Sequence, residues 1–553
     1  MTHRLQDSFN YTPFLEILFH KTEMNGTIDV CEEDERRFSK PGINIDIGPD
    51  SRSELEVGKV EDITSSSQLD QAEIFLRENG YNWATADALL RDGQTVKKLI
   101  RKVDMVILPL LCGTYCLQYI DKQALSYGAV FDLFKAANVT SDQYSWLGSL
   151  FYFGYLFWEY PAAYIAQRFK TGRFISLTVI AWGSVLMFTA LTSNFAGLAI
   201  CRFILGCLEA PITPCFMLIV GSWYDRQQQP FRASCFYCCN GLGSILGSLF
   251  SYGIGHLSTG LAIYKAIFLI CGGLTVAWGL LLLWLLPNDV MSAKRFSLQE
   301  KVTILAIGRK NQTGIYNRTI KLYQIKEAFM DSQVWICFIF TLLNELINGG
   351  VANFGKLIIK GLVTDPLKTT LLGLPQGAFQ VFFVFSGGFI ASRFKNARCY
   401  TMMLYLLPTM CGSSLLWKLP RSNTIGLLFG YYIVGAYVAS LVISLQMPVC
   451  NLSGYTKRVT GTAFVFLGYC IGNIIGPHAF LADEAPVYKT GCKMILSCAI
   501  CQFALALFLR ILLMRRNQKR DKQASEGGVD LEVENETMLD MTDFEDMRFG
   551  YQL

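Results

Sequence analysis

Asp121, Glu159, Glu209 and Glu345, with Lys122, Arg202 and Lys356, stand inside stretches of this chain that are otherwise apolar. A stretch of about 20 such residues is long enough to cross a bilayer core as a helix. An ionisable group inside it costs at least a few kcal/mol unless it faces a cavity or a partner, so any function that uses charge must draw on this short set. Around Lys122, the residues Tyr115, Gln118, Lys122 and Ser126 recur at helical spacing and share one face. A lysine on such a polar stripe could hold a carboxylate or sulfonate, or it could pair with Asp121 or with a neighbouring helix.

Arg202, Gly206, Glu209 and Thr213 share a face in the same way. Desolvation favours the neutral form of a buried carboxylate, which makes Glu209 a candidate to take a proton from an acidic exterior and release it inside. The other reading is a permanent contact between Arg202 and Glu209. Thr341, Asn344, Glu345 and Asn348 form a third cluster, followed by Gly349 and Gly350. Asparagines there could bind amide or ureido groups, or hydrogen-bond between helices. Tyr437, Ser440 and Ser444 add a weaker signal, and Glu159, beside Pro161, reads as structural. The candidate substrate-binding residues are therefore Gln118, Lys122, Arg202, Asn344 and Asn348. Glu209, Asp121 and Glu345 are the candidates for proton coupling. No paired histidines, serine with a base or diacid motif lies inside a stretch, and no zinc spacing appears, so neither an enzyme nor a metal or other cofactor is expected.

The elements that must position these residues are the apolar stretches themselves. With 52% hydrophobic and 17% charged residues, the chain lies on the membrane side of globular usage. Of 44 Asp and Glu, 20 precede Met105 and 10 follow Asn517, which leaves the middle nearly acid-free. Twelve spans are expected, at about 105–130, 145–166, 174–192, 195–220, 233–256, 266–286, 333–359, 369–391, 400–417, 424–447, 460–480 and 492–514. Calling both ends cytoplasmic gathers Arg168, Lys170 and Arg173, then Arg226 and Arg232, Arg393, Lys395 and Arg398, Lys457 and Arg458, and Arg515 and Arg516 on one side, as the positive-inside rule requires. Two basic knots, AYIAQRFKTGRF at 163–174 and GFIASRFKNARC at 388–399, nearly repeat one another. They imply a duplicated bundle, with Arg168, Arg173, Arg393 and Arg398 as topology anchors or an inner gate.

The organisation read from this is a polar, acidic N-terminal region over 1–104, a first six-helix half over 105–287, a linker over 288–332, a second half over 333–514 and an acidic tail over 515–553. Residues 1–65 read as disordered and Gln71 to Lys102 as helical. Most cysteines read as packing residues. The cations lie in short loops rather than on one stripe, so nucleic acid is not an expected partner. The lipid bilayer is, and the chain is expected to be monomeric.

Several motifs in order, QYIDKQALSYGAVF at 118–131, DQYSWLGSLFYFGYLF at 142–157, RFILGCLEAPITPCF at 202–216, NGLGSILGSLFSYGIGH at 240–256, LLGLPQGAFQ at 371–380 and DMTDFEDMRFGYQL at 540–553, resemble the fungal allantoate permease family. That family lies in the anion:cation symporter branch of the major facilitators. The resemblance implies an all-α major facilitator fold with twelve transmembrane helices in two pseudo-symmetric six-helix halves. It implies proton-coupled uptake of a small organic anion (carboxylate, ureide such as allantoate, vitamin or sulfonate) at the plasma membrane, with an antiporter or exporter of the same fold as the alternative. It also supports the Arg202 and Glu209 pairing, because related anion transporters place an arginine seven residues before a glutamate there. The chain departs from the superfamily at Gln167 and Ser392, where an acid is usual, and at Glu345, near the place of a basic residue that some relatives use.

Overall fold

The computed structural model describes residues 71–225, 228–257, 260–311, 321–363, 365–526, 541–546 and 549–553. The expected disorder of residues 1–65 and Arg226 of the positive-inside set lie outside the described residues, as do the side chains of Gln167 and Arg168 in the first knot. The chain divides into two units, Met1–Glu78 and Asn79–Leu553. In the first, Gln71–Glu78 is helical. In the second, Trp83–Leu89 is a short helix and another begins at Gly93, so the helical reading of Gln71 to Lys102 is met in separate pieces. Gly80 adopts a left-handed φ of 75°, which favours glycine, and Asp92 starts a new helix. Its carboxylate accepts from the backbone N–H groups of Gln94 and Thr95 and from the Thr95 hydroxyl, and the Thr95 hydroxyl bond holds Asp92 below the usual carboxylate range.

Twelve long helices follow among the described residues: α1 (Gly93–Val130), α2 (Ser141–Arg168), α3 (Thr171–Thr189), α4 (Phe195–Trp223), α5 (Gln229–Gly255), α6 (Ile263–Leu285), α7 (Ser332–Val363), α8 (Pro366–Arg393), α9 (Arg398–Lys418), α10 (Thr424–Asn451), α11 (Tyr455–Ile475) and α12 (Lys489–Glu526). Their starts are written in the sequence. Thr140 and Gln143 form a capping box on α2, and Asn194, Asp365 and Asn423 cap α4, α8 and α10 through their side-chain oxygens. Three helices break: α4 between Glu209 and Ile212 at Pro211, α8 between Leu371 and Leu374, and α10 between Val434 and Tyr437. Pro211 has no N–H to continue the ladder.

Ten of these helices are long and apolar enough to cross a membrane, against the twelve spans expected. The two that fall short are α2 and α5, 28 and 27 residues long. Their length is sufficient at about 1.5 Å per residue. Tyrosine, serine and glycine lower their hydropathy. The chain is a multi-pass, all-α membrane protein.

The packing has a repeating pattern. In the first six helices α1 packs on α5, α2 on α4 and α3 on α6; in the second six, α7 packs on α11, α8 on α10 and α9 on α12. Helices α1 with α7, α2 with α11 and α5 with α8 join the two sets. The α2–α4 contact is backbone on backbone. A Cβ on Gly206 would lie 1.9 Å from the Phe151 carbonyl oxygen, and one on Gly154 would lie 2.1 Å from that of Phe203. Gly241 and Gly377 make a similar approach between α5 and α8.

The linker is partly helical, at Leu298–Asn311 and Leu322–Met330. Lys102 binds Glu300 at 2.7 Å, and Arg232 binds Asp104 at 2.9 Å. Residues 541–546 and 549–553 lie against the second set. Tyr551 and Asn517 exchange hydrogen bonds of 3.0 and 2.9 Å, Gln552 and Asn451 exchange two of 2.8 and 2.9 Å, and the Arg398 backbone N–H donates to the Leu553 carbonyl. Arg520 donates to the carbonyls of Phe549 and Asp543. At the centre of this docking is Lys457, with no exposed surface. Its Nζ lies 2.7 Å from Asp543, 2.8 Å from Glu327 and 3.4 Å from Asp331. Removing one partner of a buried ion pair costs about 3–5 kcal/mol. Lys457→Met is therefore expected to lower the thermal midpoint of the detergent-purified protein sharply, whereas Lys457→Arg retains most of it. An unchanged midpoint in the methionine variant would show that the cluster holds nothing together.

Candidate functional site

A cavity of about 130 Å³ opens where the two helix sets meet. Helices α1, α2, α4, α5, α7, α8, α10 and α11 all reach it, so the corresponding helices α1, α4, α7 and α10 converge as the sequence suggested, joined by four more. On α1 the polar stripe faces inward: Tyr115, Gln118 and Lys122 lie in the wall, and Tyr115 shares a 3.0 Å hydrogen bond with Thr213 of α4. Ser126, the fourth member, donates instead to the Asn353 carbonyl of α7.

Lys122 is the cation in the wall with a carboxylate beside it. Its Nζ stands 3.8 Å from Glu209 Oε2, with 24% of the lysine side chain exposed and 2% of the glutamate. The rings of Phe151 and Tyr155 lie 5.3 and 5.7 Å from the ammonium. At an effective dielectric of 20 two charges at this separation attract by about 4 kcal/mol, and desolvation costs several kcal/mol per ion. The net contact is weak and exchangeable, because 3.8 Å is beyond direct hydrogen bonding.

Arg202 also lines the cavity and is 3% exposed. Its Nε and Nη2 have no hydrogen-bond acceptor, and its nearest ring, Phe268, is 5.9 Å away. Among the described residues no ion pair within 4.0 Å joins it to Glu209. The permanent Arg202 to Glu209 contact that was one reading of the sequence does not form, and Lys122 stands beside the carboxylate instead. A buried guanidinium with unused donors is a charge waiting for an acceptor.

On α7 the cluster splits. Asn348 lines the cavity, donating to Glu345 at 3.0 Å and to Asn473 of α11 at 2.9 Å, and accepting from the Tyr437 hydroxyl at 3.0 Å. Glu345 lies behind the wall, where Asn473 also donates to it at 2.6 Å. Asn344 is turned to α10 and donates to the Tyr437 carbonyl. Asp121 faces away from the cavity and accepts from Thr275 of α6 at 2.7 Å. Ser440 and Ser444 are bonded to the backbone carbonyls of Met402 and Leu441. Arg173 and Arg393 are exposed and Arg398 half-buried, and none of the three reaches the cavity wall.

The wall contains residues that helical spacing did not single out. Gln123, Asn240, Asn353 and Gln380 bring amides, and Tyr119, Tyr152, Tyr155, Tyr237, Phe466 and Tyr469 bring aromatic faces. A single-face reading misses them because the cavity touches more than one stripe of each helix. Asn473, an amide inside the apolar run CIGNIIG, carried a signal of its own.

Comparison with known proteins agrees with this architecture. An uncharacterized transporter of Schizosaccharomyces pombe is 32% identical over 507 residues, covering 90% of this chain and 97% of that protein. The allantoate permease of Saccharomyces cerevisiae is 32% identical, covering 83% of this chain and 86% of its own. Among solved structures, the inward-facing bacterial homologue of the human lysosomal transporter Spinster superposes with a TM-score of 0.55 at 17% identity, over 73% of this chain and 95% of that one. These relatives are transporters or permeases, a non-catalytic class, and this chain is a membrane transporter rather than an enzyme. Residues 111–477 match the Major Facilitator Superfamily, and the chain belongs to that family.

Proposed function

We propose that this chain is a proton-coupled symporter that imports a small organic anion by alternating access. In this reading its helices form twelve spans in two six-helix halves, in the plasma membrane with both termini cytoplasmic. The repeated helix pairing supports two halves. The observation that carries the anion is the pair of cations on one cavity, Arg202 with free donors and Lys122 held only loosely. Gln118 and Asn348 supply amide groups beside them. They suit a ureido carboxylate, and an allantoate permease stands among the relatives.

Coupling follows from competition. While Glu209 is ionised it occupies Lys122; a proton on Glu209 removes that attraction and frees the ammonium for the substrate carboxylate. Proton and anion therefore bind together, and the loaded carrier closes with its charges compensated. Glu345, in contact with the wall through Asn348, and Asp121, next to Lys122 in sequence, are further protonatable groups on the same two helices.

Lys122→Gln is expected to abolish uptake with surface expression intact. An unchanged KM in that variant, with allantoate tested first in a panel of carboxylates, ureides and sulfonates, would remove Lys122 from the site. Glu209→Gln is expected to spare anion exchange between the two sides of a vesicle while ending accumulation driven by a pH gradient. Accumulation that persists would show that another group carries the proton, and flux driven against the proton's direction would make the carrier an antiporter.

A further inference from the structure

Lys356 lies on α7 beyond the cavity, 3% exposed. Its ammonium donates to Gln123 Oε1 at 2.5 Å and stands 4.1 Å over the ring of Tyr127, both on α1. Among the described residues no carboxylate is within ion-pairing distance of it. A buried, uncompensated cation between helices is expensive, and a neutral glutamine would hold α1 to α7 without that cost. The charge therefore requires a reason beyond fastening the helices.

Its surroundings supply one. Asn348, Ala352, Lys356 and Lys360 recur every four residues and share a face of α7. Asn348 and Ala352 line the cavity, Lys356 lies about 12 Å from Asn348 along the helix axis, and Lys360 is half-buried near the helix end. Gln123, which binds Lys356, is itself in the cavity wall. The seam that closes the cavity at this end is made of bonds between the two helix sets. Ser126 and Tyr144 donate to the Asn353 carbonyl at 3.2 and 2.8 Å, Ser149 donates to that of Ile474 at 2.6 Å, and Lys356 binds Gln123. Opening this end must part α1 from α7 and take the carbonyl oxygen of Gln123 away from the ammonium.

We infer that Lys356 is the entry contact for the anion. With the seam open, its ammonium, backed by Lys360, binds the carboxylate or equivalent group on the way to Lys122 and Arg202. With the seam closed, Gln123 takes the substrate's place and lets the charge be buried. This rests on the anion-transport reading above. It adds a specificity-determining residue that acts on one face of the membrane only, the face onto which this seam opens.

The test uses the full-length protein in sealed vesicles and the panel anion that the wild type carries fastest, with KM and maximal rate measured for entry from each side. Lys356→Met is expected to raise KM by about tenfold or more from the seam side, to leave KM from the other side unchanged, and to be largely rescued by Lys356→Arg. A fall in maximal rate from both sides with neither KM moved would reduce Lys356 to a fastener and overturn the inference, while leaving the transport reading intact. Should Lys356→Met fail to reach the membrane, Gln123→Leu decides. Releasing the ammonium from its closed-state partner is expected to lower KM from the seam side, and an unchanged or raised KM overturns the inference. A wild type that carries no anion of the panel removes the transport reading, and the inference with it.

Discussion

The ammonium of Lys122 stands 3.8 Å from the Glu209 carboxylate and faces open volume on its other side, and the rest of the site is arranged around that incomplete pairing. In a low-dielectric bundle a fully paired ion has no reason to exchange partners, and an unpaired one is too costly to keep. A contact that is close enough to offset part of the desolvation, and too long to be a hydrogen bond, lies between these limits. It can be released by a proton on one partner or by an anion beside the other. Arg202, whose Nε and Nη2 have no acceptor, lines the same cavity, and in the proposed function it favours exchange with an anion.

Degree of compensation also separates working charges from fastening ones. Lys457 has three carboxylates within 3.4 Å and a phenyl face at 3.6 Å, and Arg516 adds a 2.8 Å bond to the same Asp331. That cluster draws together the helix before α7, the start of α7 itself, α11, α12 and residues 541–546. Every charge in it has an opposite charge in contact, so it resists movement within the second helix set. The charges at the junction between sets, Lys122, Arg202 and Lys356, are under-compensated. A carrier that moves one helix set against the other, as proposed, is served by a saturated cluster inside the second set and a deficit of partners where the two sets meet.

The helices that carry these charges are placed by close backbone approach as much as by side chains. Gly154 and Gly206 let α2 and α4 meet where a methyl group would overlap a carbonyl oxygen, and that contact fixes the place of α4, which carries Arg202 and Glu209. The break at Pro211 follows immediately after Glu209, so the carboxylate stands at a helix end rather than in its middle. Neither feature was inferred from the sequence, although both residue types were visible in it. Glycines and prolines are read one at a time, whereas their effect here depends on which helix lies opposite.

This difference explains what could be read in the chain and what could not. Rarity inside apolar runs was enough to find Gln118, Lys122, Arg202 and Asn348, all of which reach the cavity, because a charge or amide in hydrocarbon needs a polar destination. The same signal selected Asp121, Glu345 and Asn344, whose destinations are Thr275, Asn473 and the Tyr437 carbonyl. Helical periodicity says which residues share a face, but not whether that face meets a cavity or the polar face of a neighbour. The apolar runs at 145–166 and 233–256 marked α2 and α5 as spans, although tyrosine, serine and glycine lower the hydropathy of both. Lys356 is the limiting case: its type and its place in α7 were legible, while its partner, an amide 233 positions away on α1, became visible only once the two helix sets were brought together. A lysine with a carboxylate there would have been a fastener, and it is the neutrality of Gln123 that leaves the charge available.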